Sequence, residues 1–373
     1  EKINYPRGLA EGYRTYGFGL TRYSKNQEAL VYLEKSLFLF RELGDLAGEG
    51  TVYGYQGIAQ RSLGNYPESL DLLFKYSEIT TRTDNKEGQA GSYYHLGTTY
   101  KYLGDNDRAL TYLLKCLSLA REIGSWIFES GSMKLLGQIY METGDYQNAI
   151  DFSARSLHIN REKGDKWGEA GCLDTIGTCY ARMKNFTQAK DYFNQALDIS
   201  KSIQDKKGAG NALLHLGNLY QETGDWEQAH LHALGSLDIR REIKDRKGEA
   251  EVLLFLGQLS FQNRETADTK PERSRDYLAQ ALALATEIQA NDLKAKTHWA
   301  YYENCKQSGD YPEALAHLET HMALAGEIHS EAIREKIQKL EITLKAEKLK
   351  EEAESYKARN LELATRAAAL WLG

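Results

Sequence analysis

Few residues of this 373-residue chain have the types and spacing that chemistry requires. His230 and His232 form a His-x-His pair, but alternate residues of a helix do not face each other, so a shared metal ion is not expected. Cys172 and Cys179 lie seven residues apart on one helix face, which is typical of small buried core thiols. The sequence holds no His-Glu-x-x-His motif, no phosphate-binding glycine loop and no nucleophile elbow. We therefore predict no catalytic residues, no cofactor and no metal.

The charge and hydropathy of the chain argue against two classes of partner. The formal net charge is -6, whereas nucleic-acid binding requires a basic face. The densest basic run is interrupted by acidic residues, as in a solvated helix end. Its members are Arg240, Arg241, Lys244, Arg246 and Lys247, with Glu242 and Asp245 between them. No stretch approaches the ~18 apolar residues of a membrane helix. Four cysteines without a disulfide pattern favour a reducing, cytoplasmic compartment.

The elements that position all these residues repeat along the chain with a fixed period, which is the signature of a stacked array. A glycine recurs every 40 residues without a slip, and we call this position the column glycine. Its members are Gly17, Gly57, Gly97, Gly137, Gly177, Gly217 and Gly257. An eighth unit continues at Tyr302, after an insertion of five residues near 263–272.

Other columns of the repeat predict two helices in each unit. An Asp, Asn or Ser twelve residues before the column glycine is an N-cap, and Gly-Asp or Gly-Asn after it separates the two helices. Apolar residues four before the glycine and Tyr three after it lie on one buried helical stripe. The sequence therefore predicts an all-α fold of about eight helix-turn-helix repeats, stacked over residues 1–328 into a right-handed α-solenoid.

The columns resemble a known family over roughly residues 5 to 328. The run Leu96-Gly97-x-x-Tyr100, followed by Gly104-Asp105 and Ala109-Leu110, is similar to the tetratricopeptide repeat (TPR) signature. Its length exceeds the usual ~34 residues and resembles the longer variety of Pins-type polarity adaptors, kinesin light chains, bacterial peptide-sensing regulators and bacterial signalling proteins. The resemblance implies protein or peptide binding. Of the asparagine ladder of Pins-type adaptors, only Asn218 is present.

In this family the first helix of each pair lines a concave surface. The residues that this chain places there change from repeat to repeat, while the core columns stay constant. Packing explains constant columns but not a varied polar and aromatic face, so we predict that this face binds a peptide or protein segment. A wetted groove without a ligand is the alternative. The predicted contacts are Tyr94, Thr98, Tyr102, Lys134, Gln138, Arg182, Asn218, Leu254 and Gln258.

Residues 329–373 follow the array as one long predicted helix. In its second half, core residues alternate in steps of four and three, the pattern of a heptad seam, and a seam Asn is typical of a two-stranded coiled coil. The seam residues are Leu349, Ala353, Tyr356, Asn360 and Leu363. We predict a homodimer through this helix; a helix that caps the last repeat is the alternative. The segment is similar to the connector that precedes a diguanylate cyclase, adenylate cyclase or histidine kinase in bacterial signalling proteins.

These observations predict a cytoplasmic, non-catalytic regulatory array, the sensory and dimerising part of a bacterial signalling protein. The chain starts without Met and ends on apolar residues, so we expect a fragment that carries added residues at its end. The resemblance to the connector implies that the output module is missing from this fragment. Two other functions stay open. One is a free-standing scaffold adaptor whose last helix is a cap, and the other is an intracellular receptor for a peptide pheromone.

Overall fold

Helices make up nearly all of the described chain. The structure, a computed structural model, describes residues 5–23, 25–262 and 271–326. In chain order the helices are α1 (Pro6–Arg22), α2 (Asn26–Glu42), α3 (Leu46–Ser62), α4 (Tyr66–Arg82), α5 (Lys86–Tyr102), α6 (Asn106–Glu122), α7 (Trp126–Glu142), α8 (Tyr146–Lys163), α9 (Lys166–Arg182), α10 (Phe186–Ser202), α11 (Lys206–Glu222), α12 (Trp226–Glu242), α13 (Arg246–Gln262), α14 (Pro271–Glu287), α15 (Asn291–Ser308) and α16 (311–326). They pack in consecutive pairs within these ranges, so the predicted all-α fold is confirmed.

The predicted capping column begins most of the first helices. The side chains of Asp45, Asn85 and Asp165 accept a hydrogen bond from the backbone N–H three residues later, at 2.9 to 3.0 Å. Such a bond satisfies one of the free amides of a helix start. Ser125 occupies the same column but makes no side-chain capping bond. Carboxylates and amides therefore fill this role here, and the shorter Ser side chain does not.

The column glycine brings the two helices of a pair close together. A Cβ atom added to Gly97 would lie 2.7 Å from Leu113 Cγ and 3.2 Å from the carbonyl oxygen of Ala109, both on α6. Leu113 and Ala109 are fully buried. Because a methyl group has no space there, the glycine serves packing between helices, as the sequence predicts.

In several successive repeats, an aromatic pair joins the first helix to the second helix of the same repeat, and we call the set of these pairs the aromatic ladder. Tyr100 stacks on Tyr112 with ring centroids 5.6 Å apart, and Tyr180 stacks on Tyr192 at 5.5 Å. The pair Tyr140–Phe152 has the same geometry at 5.5 Å. Offset stacking of this kind stabilises a pair beyond the area that it buries. The rings at these recurring positions of the repeat therefore pack against each other inside the helix pairs.

The described residues divide into two compact units. The first ends at Ile288 and the second begins at Gln289, inside the predicted array of residues 1–328. Eight residues, 263–270, connect α13 to α14, whereas a connection of three residues joins the two helices of most pairs. These eight residues lie outside the described ranges. The predicted helix 329–373 and its seam also lie outside the described residues. Among the described helices, none is both long and apolar enough to cross a membrane.

Candidate functional site

The first helices of the first unit form one continuous surface. From α1 to α11, each first helix contacts the next first helix along the chain. Their side chains on the side away from the paired second helices make up what we call the first-helix face. This is the surface that the sequence predicts to bind a peptide.

A cavity of about 280 Å³ opens on this face between α3 and α5. Its lining includes the rings of Tyr55, Tyr76 and Phe128, together with Ile58 and His95. Ligand pockets for whole small molecules start near ~300 Å³. The cavity is therefore of a size for one or two side chains of a peptide. The rings and Ile58 form its apolar part, and Thr51, Asn85 and Glu87 add polar groups.

Two glycines at variable positions create the space for this cavity. A Cβ atom added to Gly54 would lie 3.1 Å from the Tyr76 ring, and one added to Gly91 would lie 3.2 Å from Tyr76 Oη and 3.3 Å from Phe128 Cζ. Tyr76 belongs to a second helix, α4, and reaches the first-helix face because both neighbours lack a side chain. Burial raises the pKa of Tyr76 to about 12, so its phenol keeps its proton and is a hydrogen-bond donor.

His95 lines the cavity and carries a buried nitrogen without a partner. Its Nδ1 atom makes no hydrogen bond within the described part of the protein. Burial lowers the pKa of His95 to about 3, and the positive charge of Arg61 adds to this effect. The imidazole is therefore neutral at physiological pH, and a ligand that hydrogen-bonds to Nδ1 would satisfy a buried polar atom.

Arg61 and two tyrosines, Tyr94 and Tyr102, lie close to His95 or to one another on the same face. Arg61 Nη1 lies 3.4 Å from the carbonyl oxygen of His95 and 3.5 Å from Thr99 Oγ1, and burial lowers the pKa of Arg61. Tyr94 packs on Phe128 with ring centroids 6.0 Å apart. Tyr102 is 64% exposed. We call Tyr55, Tyr76, His95 and Phe128 the aromatic region.

Further along the face, charged and amide side chains replace the rings. Asp174 of α9 and His215 of α11 form a pair, with Oδ1 and Nδ1 2.7 Å apart. Burial opposes protonation of His215, and so do Arg240 and Arg182, but the Asp174 carboxylate outweighs them and raises the pKa of His215.

A second set of polar bonds lies beside this pair. The Arg240 side chain is only 4% exposed and donates to Asn211 Oδ1 and to Asp245. We call Asp174, Asn211, His215 and Arg240 the polar region. Asp174 pairs with His215 and Arg240 pairs with Asp245, but the Nε atom of Arg240, like Nδ1 of His95, makes no hydrogen bond within the described residues.

The nine predicted contacts are distributed over five first helices, α5, α7, α9, α11 and α13. Tyr94 borders the aromatic region through Phe128. Thr98 and Leu254 are each only 8% exposed, and the Thr98 hydroxyl donates to the carbonyl of Tyr94 at 2.7 Å, so these two support the interior. The other six predicted contacts are accessible to solvent. Lys134, Gln138 and Gln258 are half-buried, and Tyr102, Arg182 and Asn218 are exposed.

The sequence prediction missed three of the rings that line the cavity. Tyr76 lies on a second helix, and Tyr55 and Phe128 stand two and nine residues before the column glycine, positions from which the sequence predicts no contact. The signal that could have found them is Gly54 and Gly91. Glycine is a poor helix former, so two glycines on facing helices indicate a close approach by another group.

Outside the first-helix face, the cysteines, histidine and arginines of the first unit that could be reactive are buried, packed on a ring or ion-paired. Burial raises the pKa of Cys116 and of Cys179 to about 11, which disfavours the nucleophilic thiolate. His232 stacks on Tyr220 at 5.0 Å and belongs to the aromatic ladder. The basic run is largely paired, since Arg241 and Arg246 both form ion pairs with Glu249.

Comparisons with known proteins agree with this architecture. Family models described as tetratricopeptide repeat match residues 90–123, 129–202 and 210–243. No curated protein matches the chain in sequence. The apo form of RapI is 13% identical with a TM-score of 0.61, over 76% of this chain and 99% of RapI. The apo form of the quorum sensor NprR from B. thuringiensis is 17% identical with a TM-score of 0.65, over 84% of this chain and 87% of NprR.

A larger protein shares the same arrangement over part of its length. PH0952 from Pyrococcus horikoshii, a signal transduction ATPase (STAND) protein with a tetratricopeptide repeat sensor, is 14% identical with a TM-score of 0.66. The match covers 91% of this chain, which spans half the length of that protein. At such identities the likeness shows the fold, a tetratricopeptide repeat solenoid, and the function has to be argued from the first-helix face.

Proposed function

We propose that this tetratricopeptide repeat protein is a non-catalytic regulator that binds a peptide segment on its first-helix face, with an apolar side chain of the peptide in the aromatic region. The observation that carries the proposal is the cavity of about 280 Å³ with its lining of three rings. A pocket for a peptide side chain usually combines aromatic rings with a few polar groups that fix orientation, and this cavity has both.

The position of two rings at the cavity supports this assignment. The rings of the ladder, such as Tyr140 and Phe152, stack on each other inside the helix pairs. Tyr55 and Phe128 also have ring neighbours, at 4.4 and 6.0 Å, but both line the cavity on the face as well. Aromatic side chains beside a cavity are typical anchors for a partner, because a large apolar area is covered when the partner binds.

The similar structures favour regulation over pure scaffolding. NprR is described as a quorum sensor, a Rap protein was solved in complex with competence and sporulation factor, and the repeats of PH0952 are described as a sensor. We extend this to a cytoplasmic sensory array of a bacterial signalling protein, which dimerises through residues 329–373. A receptor for a free peptide is the second candidate, favoured by the likeness to the Rap protein.

Peptide selection followed by calorimetry tests the proposal. A random-peptide library is selected on the whole chain, and the affinity of the selected peptide is measured for wild type, Tyr55→Ala and Phe128→Ala. Loss of an anchoring ring should weaken binding by about tenfold or more. Phe38→Ala is the matched control, because Phe38 is 62% exposed on a second helix, α2.

The outcome against the proposal is equally definite. A selected peptide that binds both cavity variants as tightly as it binds wild type does not use the aromatic region. Failure to select any peptide against the whole chain would also contradict the proposal. Circular dichroism of each variant separates lost binding from lost folding, and the Phe38→Ala affinity gives the spread expected for a change away from the face.

A further inference from the structure

The eighth repeat differs from the four middle repeats at one position of the aromatic ladder. Three residues after the column position those repeats have Tyr100, Tyr140, Tyr180 and Tyr220, but the eighth repeat has Cys305. Fifteen residues after it stand their ring partners, of which the one in the sixth repeat is His232, and the eighth repeat has His317 there. A histidine is therefore already found in this column, and the departure of the eighth repeat is the thiol in place of the first ring.

A second departure lies beside Cys305 and His317. Four residues before the column position, the other repeats have a large apolar or aromatic residue such as Tyr93 or Leu173, and the eighth has His298. His298 Nδ1 lies 2.9 Å from His317 Nδ1. The ring of Tyr301 stacks on the other side of His317, nearly parallel at 4.5 Å. The His317 ring is therefore held in one orientation by two neighbours.

These residues form a cluster of metal-ligating atoms with Glu313. One ligand atom each of Cys305, Glu313 and His317 lie within 4.8 Å of one another. Cys305 is fully buried, and Glu313 and His317 are half-buried. His317 Nε2 lies 3.9 Å from Glu313 Oε1. Bonds of about 2.0 to 2.3 Å in tetrahedral geometry place ligand atoms roughly 3.3 to 3.8 Å apart, so small side-chain movements close the site.

We propose that Cys305, Glu313 and His317 bind a Zn²⁺ ion that links α15 to α16. A thiolate, an imidazole and a carboxylate are the ligand types that zinc takes in proteins, and a water molecule completes the four. With Nδ1 of His317 turned to His298, Nε2 is the nitrogen that faces the ion. His298 is then a positioning residue, since an outer hydrogen bond fixes the orientation of a ligating histidine.

The ion takes the place of the missing ring contact in the eighth repeat. The first ligand of the site comes from the last turn of α15 and the other two come from α16, so one ion fastens the helix pair that the stacked rings fasten in the middle repeats. An ion bound to the folded pair and not to the unfolded chain stabilises the pair by mass action. This inference is independent of the peptide site, which lies in the other unit.

Cobalt titration of the metal-free whole chain, prepared without a histidine tag, tests the proposal. Co²⁺ is a probe for zinc sites because a Co²⁺–thiolate bond gives a near-ultraviolet charge-transfer band and a tetrahedral site gives strong visible bands. We expect saturation at about one Co²⁺ per chain, with displacement by Zn²⁺. The bands should be lost in Cys305→Ser.

Two further variants keep the test decisive if a single change disturbs folding. Cys305→Tyr with His317→Tyr restores the ring pair of the other repeats and should fold without binding cobalt. Cys116→Ser is the control: Cys116 donates to the carbonyl of Ala90 at 3.2 Å, and Ser36 makes the equivalent bond to Ala10. Cobalt bands absent from wild type, retained by Cys305→Ser or lost in Cys116→Ser would overturn the proposal.

Discussion

His95 and His215 occupy the same register of their first helices, two residues before the column glycine, yet their pKa values move in opposite directions. Burial lowers the pKa of His95 to about 3. The Asp174 carboxylate raises the pKa of His215 against the effect of burial. The position of the preceding first helix that holds Asp174 beside His215 holds Gly54 beside His95. One variable position therefore decides whether the neighbouring histidine is paired or left open.

The residue at this position also decides whether the face has a cavity beside the histidine. With glycine at that position, Tyr76 fills part of the space and a cavity remains, with the His95 Nδ1 atom unpartnered in its lining. With aspartate, the space holds an ion pair that satisfies its own charges. A ligand in the cavity of the aromatic region can therefore satisfy a buried polar atom, since buried polar atoms are normally hydrogen-bonded.

The largest expected change in the free energy of unfolding comes from removing the buried positive charge of the polar region. Arg240→Ala should lower the free energy of unfolding by about 3 kcal/mol, since removing one partner of a buried charge pair leaves the other uncompensated. Asp245 and Asn211 lose their donor in this variant. Urea unfolding followed by circular dichroism measures the change.

The neighbouring Arg241 is the matched control. Its side chain is 47% exposed and pairs with Glu249 at 2.9 Å. Glu249 is only 8% exposed but keeps its ion pair with Arg246 in this variant, so Arg241→Ala should shift the urea midpoint less than Arg240→Ala does. Equal shifts for the two variants would show that the polar region is not held by its buried arginine.

A smaller effect is expected from His95, and it depends on pH. The folded state keeps His95 neutral down to about pH 3, whereas the unfolded chain protonates it near its usual pKa of about 6.5. The unfolded state therefore binds more protons below pH 6.5, and acidification destabilises the fold. At pH 5 the cost is about 2 kcal/mol, from 1.36 kcal/mol for each unit below 6.5.

Replacing the imidazole should remove that cost. Leu135 occupies the same register in α7, so His95→Leu is a substitution that the repeat already accommodates. Unfolding of wild type and His95→Leu, measured at pH 7 and at pH 5, should show the variant gaining stability relative to wild type on acidification. A difference that stays constant with pH would mean that His95 is protonated in the folded protein.

The fold was predictable because packing repeats. The N-cap bond of Asp45, the close approach at Gly97 and the ring pair of Tyr100 with Tyr112 all follow from columns that recur every 40 residues. Each column has one structural role, and a residue type that recurs at a fixed spacing makes that role recognisable in the sequence.

The face was predictable only in outline, because its contacts join residues that differ between repeats. Tyr76 reaches the cavity from a second helix, and Phe128 reaches it from two repeats along, α7 against α3. Neither contact follows from a helical register within one repeat. Thr98 and Leu254 were assigned to the face by register, but each is only 8% exposed because neighbouring helices cover it.

The smallest expected effect is the response of His215 to loss of its carboxylate. Asp174→Asn should lower the pKa of His215, because burial, Arg240 and Arg182 all disfavour the charged imidazole. The raised pKa stabilises the fold below the unfolded value of about 6.5 and this contribution is lost as pH rises through the folded value. Since both side chains are about one third exposed, the stability change below pH 6 should be under about 1 kcal/mol.

Titration of the His215 ring protons by NMR resolves this small effect better than unfolding does. Asp151→Asn is the control, since Asp151 is paired with Arg155 and should leave the His215 titration unchanged. If Asp174→Asn also left it unchanged, the opposite behaviour of the two histidines would have to come from burial alone. A fall in the pKa of His215 toward that of His95 would assign the difference to the residue that faces each histidine from the preceding helix.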